Sequence, residues 1–407
     1  MTEKPVDSRA MGVAWRRHLL FAVTCALGGL TVHLASPFLP VPLAMVGLGI
    51  GLIGAGFMLA WAADAGEAVF SGGVVLAVVA LVAILPEFVI EVRFAYIQEV
   101  GLVTANLTGA TRLLLTGAAA LPLLLMLIAR RRTHGDTPLE LSPNRRLDLG
   151  ILVVSALFAI QLVVRGSLTI FDSMVLLTLY AVYALRVKGT PDEQPAVVGV
   201  PAGLASLGPQ YQRASIVGLI LVAGSVVLMI ANPFADALLV TGTSLGLDPY
   251  LLIQSVVPVA TESPEFVIVA VLVANHRPAQ GLALLLASSV SQWTVGLGML
   301  PIAFMAGGGG WAMPLSGREV LELGFTIAVT LFVVAALATL RPEGADAALV
   351  VVVFLFQLVY PTPFVRFAAG FVLLVFAIDL LCARRRSVRP MLRAAFGRRA
   401  PGATSSR

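Results

Sequence analysis

About twelve runs of mostly apolar residues follow one another along this chain, separated by short polar turns, and that succession limits the fold more than any other feature. A helix needs about 20 such residues to cross a bilayer. Spans are expected near 18–39, 43–68, 73–97, 100–128, 149–165 and 168–187, then near 215–246, 249–274, 279–306, 319–340, 345–360 and 364–383. With 58% hydrophobic and only 12% charged residues, and a mean hydropathy of +0.96, the chain lies outside the range of soluble globular proteins. The recurrence of spans also excludes a soluble enzyme carrying a single anchor.

The basic balance, a net charge of +5, does not point to nucleic acid, because the arginines fall in short clusters between apolar spans. They read as topology signals. With the N-terminus inside, the cytoplasmic segments hold Lys4, Arg9, Arg16, Arg17, the loops 130–148 and 188–212, Arg213, Arg277, Arg341 and the tail from Arg384 onward. Arg165, Arg318 and Arg366 fall outside, and Arg93 and Arg112 lie within apolar runs. This asymmetry predicts that both termini are cytoplasmic, and the protein is expected in the cell membrane. Residues 18–39, behind Arg16 and Arg17, lack a small-residue cleavage site at their end and are followed at once by another span, so they are expected to remain as a first helix. Cys25 and Cys382 stand far apart in apolar spans, with no disulfide framework or zinc cluster implied.

LPEFVI at 85–90 recurs as SPEFVI at 263–268, offset by 178 residues, and the same offset superposes the neighbouring spans without a gap. Five spans separate the starts of the two copies. An odd number turns the second copy upside down in the membrane, the inverted-repeat plan of secondary transporters. The expected fold is therefore an all-α polytopic membrane protein with two inverted repeats of five transmembrane helices and one extra helix at each end. Its segments are a cytoplasmic N-terminus (1–17), an extra helix (18–39), the first repeat (43–187), a cytoplasmic linker (188–212), the second repeat (213–360), an extra helix (364–383) and a basic tail (384–407).

Ionisable groups inside a span cost about 2.5–3.5 kcal/mol each on insertion scales and mark function by default. Glu87 and Glu265 each follow a proline; Glu91 is one turn beyond Glu87, and Glu262 is three residues before Glu265, so each pair shares a helix face. A proline within a helix cannot donate to the carbonyl four residues earlier, so Pro86 and Pro264 are expected to free those of Val82 and Ala260. Two carboxylates with two carbonyls make an oxygen-rich site for Ca²⁺ or Na⁺, and the same carboxylates can carry protons. The bland alternatives are interhelical hydrogen bonds at Glu87 and Glu265, and a pairing of Glu91 with either Arg93 or Arg112. Asp64 and Glu67 are expected to face water near a span end, and GGGG at 307–310 to form an exposed flexible turn.

The duplicated P-E resembles the α-repeats of the cation/Ca²⁺ exchanger superfamily, in which a motif near G-T-S-x-P-E faces G-N-x-x-G-S-N-x-x-N on the next helix. ATESPE (260–265) keeps Thr261, Pro264 and Glu265, and ASSVSQWTVGLG (287–298) keeps Ser288 and Gly298, with Ser289 and Gln292 at asparagine positions. VAILPE (82–87) keeps Pro86 and Glu87, while ANLTGATRLLLTG (105–117) keeps Asn106 and Gly109 and has Thr111 at an asparagine position. Departures are Leu284 at a ligand position, Val82, Ala83 and Ile84 in place of G-T-S, and Arg112 within the first repeat.

The resemblance implies an ion site on Glu87 and Glu265 with Asn106, Thr261, Ser288 and Ser289, to which Glu91 and Glu262 are extra. It implies secondary antiport of Ca²⁺ or another cation against Na⁺ or H⁺, with inorganic cations and the bilayer as partners and no cofactor. Na⁺/H⁺ exchange on the same fold, and a channel or non-transporting membrane protein, are the alternatives. A membrane-embedded enzyme finds no HExxH, DDxxD-like or GxSxG motif in this sequence.

Overall fold

The computed structural model describes residues 8–70, 82, 84–131, 139–187 and 198–396. Nine helices among them are long and apolar enough to cross a membrane. Leu20, Phe21, Phe38, Val164, Phe171 and Phe364, all on or beside these helices, are exposed, as expected where the surrounding solvent is lipid. Residues 73–81 and 83 of the expected span 73–97 lie outside the described residues. So do parts of the loop 130–148, of the linker 188–212 and of the tail.

The chain divides into two compact units. Unit 1 gathers Met1–Leu113, Pro191–Gly281 and Met299–Met313. It contains α1 (Ser8–Ala35), α2 (Val41–Val69), α3 (Leu85–Tyr96), the first part of α4 (Val100–Arg131), α7 (Val200–Ala205), α8 (Pro209–Ser244) and α9 (Pro249–Ala274). Small residues set its packing. Gly29 of α1 and Gly51 of α2 touch backbone to backbone, leaving no room for a Cβ on either. Such contacts take the place of a hydrophobic driving force between helices in lipid. The linker 188–212 carries more order than its polarity suggested: α7 sets Gly203 against the Trp15 ring, and Val200 and Leu204 join Ala62, Ala65 and Ile216 in a buried cluster.

GGGG is likewise not a free turn. A Cβ at Gly307 would overlap the carbonyl oxygen of Tyr96, one at Gly309 would overlap the Phe304 ring, and Gln98 Nε2 donates to the Gly307 carbonyl at 3.1 Å. Glycine stands there because helix ends meet, a packing reason invisible in a run of four identical residues.

Unit 2 gathers Leu114–Thr190, Leu282–Gly298 and Pro314–Arg407. Its centre is α12 (Gly317–Leu337), buried along most of its length and packed by α5 (Arg145–Arg165), α13 (Gly344–Val359) and α14 (Pro363–Ala383). Three polar ties fasten this bundle. Arg366 on α14 is buried and pairs with the buried Glu322 on α12. Asp148 accepts from the Tyr183 hydroxyl of α6 (Ile170–Val187) at 2.9 Å and from Arg145 at 3.0 Å. Arg384 donates to the carbonyls of Ala335 (3.0 Å) and Ala336 (2.9 Å) at the end of α12 and to Glu343 (2.7 Å). It thereby serves carbonyls of the last turn, where that of Ala335 also accepts from the Ala338 N–H at 3.4 Å.

Candidate functional site

Both copies of the P-E segment lie in unit 1, on α3 and α9, and these two helices touch. Glycines seat each copy. Leu85 packs on Gly224 of α8, where a Cβ would sit 3.5 Å from its Cδ2. Pro264 packs on Gly56 of α2, where a Cβ would come within 2.9 Å of the ring.

The two prolines have different settings. Pro264 stands inside α9, and the carbonyl of Ala260 that it cannot serve accepts instead from the Ser263 hydroxyl at 3.1 Å. Pro86 occupies the first turn of α3, after a turn at Ile84. In that turn a missing N–H removes no hydrogen bond within α3 itself, and Val82, ahead of the turn at Ile84, is helical. Pro258, another interior proline of α9, went unremarked in the sequence. It leaves the Gln254 carbonyl without its usual donor, and that oxygen faces Gly109 of α4 so closely that a Cβ there would overlap it. Gln254 Nε2 also donates to Thr108 at 3.2 Å, so α4 and α9 are held both by a side-chain hydrogen bond and by a backbone approach.

Among the described residues of unit 1, the buried charged side chains are Glu87 (2% exposed), Glu91 (1%), Glu262 (5%) and Arg112 (1%); Glu265 is half-buried. Three carboxylates against one guanidinium is an excess of buried negative charge that demands protons or cations. Glu91 Oε1 accepts from Asn106 Nδ2 of α4 at 3.3 Å, and Glu262 is close enough to repel it. Glu91 Oε2 and Asn106 Oδ1 are buried without hydrogen-bond partners among the described residues, which leaves two oxygens able to face a cation.

Neither expected cationic partner holds Glu91. Arg93 reaches away to Asp236 of α8 in a two-pronged pair at 2.7 and 2.8 Å. Arg112 donates from Nε to the Thr108 carbonyl at 3.0 Å and lies near Tyr250 of α9. Thr261 is buried and donates to the Val257 carbonyl at 3.1 Å, which leaves its oxygen free to accept. Asp64 is only partly exposed on α2.

Ser288 and Ser289 lie on α10 (Pro278–Ser291), in unit 2. Both are buried, and Ser289 donates to the Leu285 carbonyl at 2.7 Å. Directly after them, Gln292–Gly296 winds as a π-helical turn before α11 (Leu297–Ala306), with Trp293 Nε1 donating to Thr330 at 2.9 Å. Such turns concentrate at functional sites, and no local residue pattern announced this one. Among the described residues no three His, Cys, Asp or Glu side chains cluster tightly enough to hold a metal ion. Amide, hydroxyl, carbonyl or water oxygens must therefore complete any cation's shell.

The sequence profile of the family described as sodium/calcium exchanger protein matches residues 40–188. Among solved structures, the H⁺/Ca²⁺ exchanger CAX is similar with 30% identity and a TM-score of 0.85, over 94% of this chain and 97% of that one. Native YfkE shares the fold at 12% identity and a TM-score of 0.55, over 88% of this chain and 99% of that one. The sodium-calcium exchanger NCX_Mj shares it at 14% identity and a TM-score of 0.50, over 84% and 99%. A sequence search of curated proteins finds no significant match.

Proposed function

Starting from a chain that belongs to the cation/Ca²⁺ exchanger superfamily, and is thus an integral membrane cation antiporter and not an enzyme, we propose that it exchanges Ca²⁺ for H⁺. The observation that carries this reading is the buried charge among the described residues of unit 1: three carboxylates, Glu87, Glu91 and Glu262, against the guanidinium of Arg112. That is an excess of two buried negative charges in the count. One Ca²⁺ neutralises them, and so do protons taken up by two of the acids; those alternative fillings of one site are what antiport requires. The 30% identity with a protein described as an H⁺/Ca²⁺ exchanger supports the same pair of ions.

In this reading Glu87 and Glu265 neutralise the cation, with the Ala260 carbonyl, the Thr261 hydroxyl and the Asn106 amide oxygen completing its shell. Glu91 and Glu262 supply the rest of the buried negative charge that the cation or the protons offset, and so tune affinity. Ser288 and Ser289 rest on the resemblance alone. The 178-residue offset supports two inverted repeats, and the arginine asymmetry supports cytoplasmic termini in the cell membrane. A cysteine at position 134 labelled from outside intact cells would refute that topology.

The test is uptake of ⁴⁵Ca²⁺ into proteoliposomes under separately imposed H⁺ and Na⁺ gradients, with internal pH followed. Saturable uptake driven by an inside-acid proton gradient, with matching alkalinisation of the lumen as protons leave, is expected. Uptake that requires Na⁺ would replace H⁺ as the counter-ion, and unsaturable flux without any counter-gradient would replace the antiporter with a channel.

A further inference from the structure

The tail beyond the last span is not a simple basic extension. Arg384 ends α14, and α15 (Arg385–Phe396) begins at the next residue, so this helix starts where the chain leaves the membrane. It lies on unit 2, with Met391 and Ala395 fully buried and the Met391 carbonyl so close to Gly150 of α5 that a Cβ there would come within 2.5 Å. Arg186 of α6 donates to the Ala394 carbonyl at 2.9 Å and pins the far end. The helix is thus fixed in place with its other side turned away from the bundle.

That side carries Arg385, Arg386, Arg389 and Arg393, all exposed, together with Leu392 (40% exposed) and Phe396 (55%). Residues 385, 389, 392, 393 and 396 follow the helical repeat and share one face. None of the four arginines has a hydrogen bond or ion pair among the described residues, and residues 384–396 include no acid. In water such a face would expose two large apolar side chains for no return. A bilayer's headgroup layer suits it: guanidinium groups meet phosphates, and Leu392 and Phe396 reach the acyl boundary.

We infer that α15 is an interfacial helix that binds the phosphate groups of anionic lipids at the membrane surface and holds unit 2 to that leaflet. Each basic residue near an anionic surface is worth about fivefold in lipid association, so four acting together give a preference that survives purification. The inference is independent of which cations are exchanged.

The full-length protein is purified in detergent with an equimolar mixture of phosphatidylglycerol and phosphatidylcholine, and bound lipids are counted by native mass spectrometry. The wild type is expected to retain phosphatidylglycerol at least about tenfold above the combined Arg385→Gln, Arg386→Gln, Arg389→Gln, Arg393→Gln variant. Arg277→Gln, at a loop between α9 and α10, is expected to change nothing. Equal retention by wild type and the fourfold variant overturns the inference, as does displacement of the lipid by millimolar inorganic phosphate.

A second measurement does not depend on the fourfold variant folding. In nanodiscs, the added emission of Leu392→Trp is expected to be quenched by brominated phosphatidylglycerol and shielded from aqueous acrylamide. Quenching by acrylamide alone would turn this face to water or to a soluble partner, and the lipid assignment would fall.

Discussion

The two P-E-F-V-I segments are nearly identical in sequence and differ in nearly everything around them. On α3 the proline opens the helix and both acids, Glu87 and Glu91, are buried. On α9 the proline stands mid-helix, the serine before it occupies the carbonyl it cannot serve, and one acid, Glu262, is buried while Glu265 is half-exposed. A duplicated motif therefore fixes where carboxylates enter the membrane without fixing how each is held. The flanks decide that: Ile84 and Leu85 in one copy, Glu262 and Ser263 in the other.

Charge removal is the largest way to test this comparison. Glu87→Gln combined with Glu265→Gln is expected to lower ⁴⁵Ca²⁺ exchange by at least about 100-fold while leaving the protein inserted, because an amide keeps the shape but can neither offset a cation nor exchange a proton. Singly, Glu87→Gln is expected to be the worse of the two, since its carboxylate is the more completely removed from water. Equal damage from both would mean that burial does not distinguish the copies. Normal, saturable exchange by the double variant would remove the site altogether.

Next in size is the helix approach beside the first copy. Gly109→Ala forces a methyl group into the Gln254 carbonyl, and a loss of about 3 kcal/mol or more is expected, read as reduced thermal stability in detergent. The residue one offset later, Ala287, already carries that methyl. Ala287→Gly should cost only about 1 kcal/mol from helix propensity. Similar losses at the two positions would show the copies to be packed alike.

A smaller effect is expected at the amide. Asn106→Ala removes the donor to Glu91, which should cost about 1–3 kcal/mol and shift the Ca²⁺ concentration for half-maximal uptake. Because Arg112 does not hold Glu91, the Arg112→Ala and Glu91→Gln effects should add in a double-mutant cycle; a coupling above about 1 kcal/mol would restore their pairing. The prolines come last. Pro86→Ala, in a first turn, is expected to change stability by less than about 0.5 kcal/mol. Pro264→Ala restores an N–H that competes with Ser263 for the Ala260 carbonyl, so exchange should slow a few-fold with the fold intact. Identical behaviour of the two proline variants would erase the difference between the segments.

What could be read from the sequence was local and repetitive. Apart from the starts of α1 at Ser8 and α8 at Pro209, helix positions on both sides of the undescribed stretch near 71–81 agree with the apolar runs to within a few residues, because a span is a property of 20 consecutive side chains and their solvent. The placement of Glu87, Glu91 and Glu262 off water follows from the same runs. The repeat offset was visible because two strings can be compared without knowing any coordinate.

Partners were not legible. Arg93 is two residues from Glu91 and pairs with Asp236, which is 143 residues away; Arg366 looked like a boundary charge and is buried on Glu322. Gly109 was one glycine among 38 until α9, freed at Gln254 by Pro258, came against it. Hydropathy reports whether a residue belongs in lipid or water, and it is set residue by residue. Which neighbour a buried polar group meets depends on how each helix is rotated and where it crosses the next. Those angles are decided by small residues and prolines acting between helices, so only the packed chain determines them.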